Sequence, residues 1–205
     1  MILVAPDYRL STHAPYPAAL EDCADALGWV SGTAAEHGGD PDRIYVMGHS
    51  SGGGLAAALG LLSHNGMAPR LGGLLLIGAM LDDRTGPSDK PDLSWNAKRN
   101  ALAWRLYLRG VAASDIVPEP AAPARAADLS GLPATLGVVG AADLFMQENA
   151  SFFERLSQHG VPASLAIVSH AYHGIEVLAP KSRAGDAMLV AIRTGFARMM
   201  EFRPN

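Results

Sequence analysis

The feature that most constrains this chain is the stretch Ile44-Tyr45-Val46-Met47-Gly48-His49-Ser50-Ser51-Gly52-Gly53-Gly54-Leu55. A short apolar run ends in a glycine-flanked serine, and an alanine- and leucine-rich segment with helical spacing follows at once. A strand that passes into a helix through so few residues needs a tight turn. The Gly-x-Ser-x-Gly pattern supplies one, with glycines expected at both ends because a side chain there would collide. The turn lifts Ser50 above the end of the strand. It also sets a helix N-terminus beneath that serine, with the amide of Ser51 aimed at any oxyanion bound there. Glycine-rich turns also cap ordinary helices, so the rest of the chain decides what this serine is for.

The apolar pattern on either side alternates between strand and helix. Ile2 to Ala5 reads as a buried strand, and Leu20, Cys23, Leu27 and Val30 follow helical spacing after the breaks at Pro15 and Pro17. Beyond the turn, Leu55, Leu59 and Leu62 make a helical stripe, and Gly72 to Ile77 is a run apolar at every position, as in a strand covered on both faces. The rhythm resumes with a strand over Ala134–Val139, then a helix whose Asn149, Phe152, Phe153 and Leu156 share one side. A strand over Ser164–Val168 follows, and then a C-terminal helix carrying Met188, Ile192, Phe196 and Met199. The order predicts an α/β fold, a mostly parallel sheet with helices on both faces, in a single domain over residues 1–205. The stretch 81–128, with a helix expected from Trp95 to Leu108 and then a loop rich in proline and alanine, interrupts this order and reads as a lid-like insertion.

Composition narrows the function classes. Hydrophobic residues make up 49% of the 205 and charged residues 18%, which gives a globular chain a generous core. The net charge of −4, with 16 scattered Lys and Arg, excludes the basic stripe that nucleic acid requires. No run approaches the roughly 18 apolar residues of a membrane span, and the apolar start Met1–Ala5 is too brief for a signal peptide, so a cytoplasmic location is expected. Cys23, the single cysteine, lies on the apolar helix face and reads as core.

A serine hydroxyl attacks only when an imidazole takes its proton and a carboxylate holds that imidazole in place. In parallel sheets such groups gather beyond the C-terminal ends of strands. Asp143 follows the strand ending at Val139, and His173 follows the strand ending at Val168, so the chain carries Ser50, Asp143 and His173 in that order. Glu148 and His170 are second choices, the first expected on a helix and the second too close to its strand. His49 is expected to shape the pocket rather than act as the base, because the turn aims it away from Ser50. His13, His37, His64 and His159 show no metal-ligand spacing, and no metal or cofactor is assigned.

These motifs resemble the hormone-sensitive-lipase-like branch of the α/β-hydrolases, from the first residues to past His173. Asp7-Tyr8-Arg9-Leu10, Pro15 to Asp22 and Trp29 are similar to the family's segment before the serine. Asp40-Pro41-Asp42-Arg43-Ile44 leading into Gly48 to Gly53 is similar to its nucleophile motif, Asp128 to Pro133 with Gly140 to Asp143 to its acid region, and Tyr172-His173-Gly174 to its base region. The resemblance implies an α/β-hydrolase fold and a serine carboxylic-ester hydrolase acting on short-chain acyl esters through an acyl-enzyme. Two positions depart from the family: His49 stands where Asp is common, and Ser169-His170 where Pro-Gly is usual.

The resemblance also implies that the first strands, the N-terminal cap and a His-Gly-Gly loop ahead of Ile2 are lacking. Only the Ser51 amide is then expected to serve the oxyanion, and one lost donor slows such reactions about a hundred- to a thousandfold. A family strand belongs between Ile2–Ala5 and the serine's strand. Either those two close up and pair, or a second copy supplies the strand in a homodimer, or the chain is part of a longer reading frame. The alternative function is a weak or inactive hydrolase remnant that serves as a binding or assembly protein.

Overall fold

Four strands lie side by side in chain order in the computed structural model, which describes residues 1–87, 89, 93–111 and 116–202. They are β1 (Tyr45–His49), β2 (Gly73–Ile77), β3 (Thr135–Gly140) and β4 (Ala163–Val168), all parallel, with Met47 opposite Leu75, Leu75 opposite Leu136 and Leu136 opposite Ser164. The connections hold α1 (Ala18–Thr33), α2 (Ser51–His64), α3 (Ala97–Tyr107), α4 (Met146–Gln158), the single turn α5 (Ile175–Leu178) and α6 (Arg183–Met199). The α/β reading of the sequence holds, with the expected strands and helices after Pro17 displaced by a few residues at most.

Helices cover both faces of the sheet, and this explains why β2 is apolar throughout. Successive side chains point to opposite faces. Leu74 and Leu76 join α1, α2 and α4 through residues such as Leu27, Leu59, Phe152 and Leu156. Leu75 and Ile77 join Leu136, Val138 and, on α6, Met188 and Met199. Small residues let α2 lie close: a Cβ added at Gly54 would stand 2.3 Å from the carbonyl oxygen of Met80, and one at Gly53 2.6 Å from Ala79 Cβ. No helix among the described residues is long and apolar enough to cross a membrane.

Of the stretch 81–128, residues 88, 90–92 and 112–115 lie outside the described residues. The described part is packed, not detached: Trp104, Leu108, Ala121 and Ala122 form a third apolar cluster with Met80, Leu144 and Phe145. Its helix begins at Asn96, whose side chain accepts a hydrogen bond from the Arg99 amide at 2.9 Å.

The expected strand over Ile2–Ala5 is not formed. These residues join no ladder and are exposed, Leu3 at 77%. A parallel strand is held by a hydrogen-bonded neighbour and by covered faces, and among the described residues this segment has neither. It does not close up against β1, whose outer edge is unpaired among the described residues and whose Met47 is 48% exposed. The segment is fixed only further along, where Tyr8 packs on the cluster of α1 and α2 and Arg9 grips Asp22 of α1 at 2.8–3.0 Å.

Candidate active site

The turn from β1 to α2 places Ser50 at φ 56°, ψ −122°, a backbone conformation strained for a residue with a side chain. Its surroundings over-determine that geometry. The Ser50 amide donates to the Ile77 carbonyl at 2.9 Å, extending the ladder to β2, and its carbonyl accepts from the amides of Gly53 and Met80, each at 3.0 Å. At Gly48 an added Cβ would lie 2.0 Å from the carbonyl oxygen of Gly52. Gly52 departs from expectation, since a Cβ there would meet nothing within 4 Å. The crowding is therefore one-sided: Gly48 yields to the backbone of Gly52, while Gly52 faces open space.

The structure brings Ser50, His173 and Asp143 into one hydrogen-bonded line. Ser50 Oγ lies 2.9 Å from His173 Nε2, and His173 Nδ1 lies 2.8 Å from Asp143 Oδ2. An ionised carboxylate only accepts, so Nδ1 carries the proton and Nε2 is left to accept from the serine hydroxyl. Asp143 is 3% exposed, and its other oxygen accepts the Phe145 amide at 2.9 Å. The loops bearing Asp143 and His173 press together after β3 and β4: the Ala142 amide donates to the Ala171 carbonyl at 2.9 Å, and a Cβ at Gly140 would stand 2.2 Å from that oxygen. The amide of Ser51, at the first position of α2, has no acceptor among the described residues.

Three rings surround the His173 imidazole. Phe145 meets it edge-on at 5.2 Å between centroids, Trp95 is tilted at 6.1 Å, and His49 stacks at 5.4 Å with 23° between planes. The His173 carbonyl accepts from Ser94 Oγ at 2.6 Å. Trp95 and Ser94 belong to the stretch 81–128, so that stretch reaches His173.

The second choices stand elsewhere. Glu148 is buried on α4, where it accepts the amides of Leu81 at 2.7 Å and Asp82 at 3.3 Å and the hydroxyl of Thr85. Burial pushes its carboxyl up to about 8 against the pull of those donors. His170 is exposed at φ 59°, a left-handed turn position, which accounts for the glycine usual there in the resembled family. His49 turns from Ser50 toward Glu176 of α5, at 2.9 Å from Nε2 to Oε1. Cys23 is buried, and burial pushes its thiol up to about 11. The sequence His37-Gly38-Gly39 precedes β1, at the opposite end of that strand from Ser50.

Sequence reasoning missed several neighbours of the line. Gly78, at φ 46°, sits where a Cβ would stand 3.1 Å from Asp143 Oδ2 and 3.4 Å from His173 Nδ1; its signal was a glycine closing the apolar run of β2. Glu176 lies three residues after His173, and no sequence signal distinguishes it. Trp95 and Ser94 had none either, since contacts from an insertion are not periodic.

A family model described as alpha/beta hydrolase fold matches residues 1–177. Carboxylesterase NlhH of Mycobacterium tuberculosis is 37% identical over 181 residues, covering 84% of this chain and 56% of the relative. Esterase LipI of the same species is 33% identical over 202 residues, covering 94% and 62%. The crystal structure of esterase LipW from Mycobacterium marinum matches with a TM-score of 0.83 at 35% identity, covering 93% of this chain and 60% of that one. The chain thus spans little more than half the length of the relatives it matches.

Proposed function

The chain belongs to the alpha/beta-hydrolase-fold family, and from that membership we propose that it hydrolyses carboxylic esters with Ser50 as nucleophile, His173 as general base and acid, and Asp143 as the group orienting His173. The observation that carries this reading is the unbroken line of 2.9 Å and 2.8 Å contacts from Ser50 through His173 to a buried carboxylate.

In the proposed reaction Ser50 Oγ attacks the ester carbonyl carbon while His173 Nε2 takes the hydroxyl proton. The carbonyl oxygen becomes an oxyanion facing the Ser51 amide, which donates to it. Collapse breaks the bond to the leaving alcohol, which receives the proton from Nε2, and leaves an acyl-Ser50. Water, deprotonated by the same nitrogen, then releases the carboxylic acid and restores the hydroxyl. Asp143 keeps the imidazole in the required tautomer and balances its positive charge. The stretch 81–128 acts as the lid, holding Trp95 against the base. Short-chain acyl esters are the proposed substrates. Support comes from the resemblance and from relatives named carboxylesterase and esterase.

Hydrolysis of p-nitrophenyl acetate tests the reading. Ser50→Ala is expected to lower kcat by about a thousandfold or more, and equal rates in the two proteins would overturn it. A fluorophosphonate should label Ser50 stoichiometrically. A folded chain that takes up none fits instead the binding-protein alternative.

A further inference from the structure

The line through Ser50, His173 and Asp143 leaves a second imidazole–carboxylate pair beside it unused. His49 Nε2 meets Glu176 Oε1 at 2.9 Å, and the His49 ring stacks on His173. Glu176 is 8% exposed, and its Oε2 is buried with no hydrogen-bond partner. A buried carboxylate needs compensation, and the partner that supplies it here is His49, whose ring stacks on that of His173. We propose that His49 and Glu176 act as positioning residues for His173, setting where its ring lies and how readily it takes a proton; this rests on the reading of His173 as general base.

The groups facing His49 are Glu176 on α5 and His173 on the preceding loop, with Asp143 beyond the latter. Burial alone would raise Glu176, but the His49 hydrogen bond, its own backbone amide and the charges of His49 and His173 outweigh it and hold the carboxyl below its ordinary range. Coupling between titrating sites is reciprocal. Glu176 therefore favours the imidazolium that His173 becomes in the reaction, and protonation of His49 opposes it.

The two halves of the pair thus have opposite signatures in the acid limb of kcat/KM. Glu176→Gln keeps the shape and removes the anion, so the limb moves to lower pH by roughly half a unit while the plateau falls. His49→Gln keeps a donor toward Glu176 but removes the ring and its charge, so the limb moves to higher pH. Opposite displacements sustain the proposal, and any other pattern overturns it. Ser50→Ala in parallel separates the two readings, since hydrolysis that does not need Ser50 removes the esterase reading itself.

Discussion

Two apolar runs of strand-like sequence meet opposite fates in this molecule. Leu74–Ile77 is buried at every position, whereas Ile2–Val4 is exposed at every position. The first lies between β1 and β3 with helices on both faces; the second has neither a ladder nor a cover among the described residues. Between them stands β1, paired on one side and half exposed. Strand propensity is thus a statement about fit to neighbours, not a property of the residues alone. The proposed chemistry sits at the C-terminal ends of β1, β3 and β4, on the paired side of β1, with Gly78 closing β2 beneath the contact of Asp143 with His173.

If that covered corner holds the reaction, its largest sensitivity lies at its buried carboxylate. Asp143→Asn preserves shape but removes the charge that fixes the His173 tautomer, and a loss of about a thousand- to ten-thousandfold in kcat is expected. Steady-state kinetics with an activated ester check it, and a loss under tenfold would detach the acid from the corner. Stability should show the same contrast next. Leu75 is fully buried against the α6 layer, so Leu75→Ala should lower unfolding stability by about 2–5 kcal/mol in a denaturant titration.

How far the sequence discloses this follows from the same contrast. Elements whose partners are local or periodic were legible: the turn at Ser50, the stripes of α2, α4 and α6, and the apolar runs of β2 and β3. The three members of the line were legible because each must follow a strand end in a fixed order. Ile2–Ala5 was misread because an apolar run carries no record of whether a neighbour is present. Glu176, Ser94 and Trp95 were invisible because their contacts with His173 or His49 join segments by shape rather than by pattern.

Glu148 sharpens the comparison in a pH-dependent way, because it anchors the segment leaving β2 whereas no buried side chain among the described residues hydrogen-bonds the N-terminal run. Its carboxyl is raised in the folded chain from 4.5 to about 8, chiefly by burial. Between those values the folded state holds a proton that the unfolded state has released. Its contribution to stability is therefore complete below about 4.5 and lost as pH rises toward about 8. Glu148→Gln keeps a carbonyl acceptor for the Leu81 and Asp82 amides and does not titrate. The variant's thermal midpoint should fall less than the wild type's across that window, by an amount worth on the order of 1–3 kcal/mol. Parallel curves would show that this carboxyl is already ionised in the fold.

The smallest expected effect is the most discriminating. Leu3 is 77% exposed, so Leu3→Ser removes almost no buried area and should change unfolding stability by less than about 0.5 kcal/mol, against several for Leu75→Ala. The same substitution in a buried, paired strand would remove a side chain worth about 2 kcal/mol and leave a hydroxyl without a partner. A destabilisation of that size at Leu3 would mean that the run is covered in solution. Protein concentration then separates the sources of cover, because stability conferred by a second copy rises with concentration and stability from within one chain does not. A null effect at Leu3 with a large one at Leu75 would establish that two runs of nearly the same composition differ by their neighbours alone.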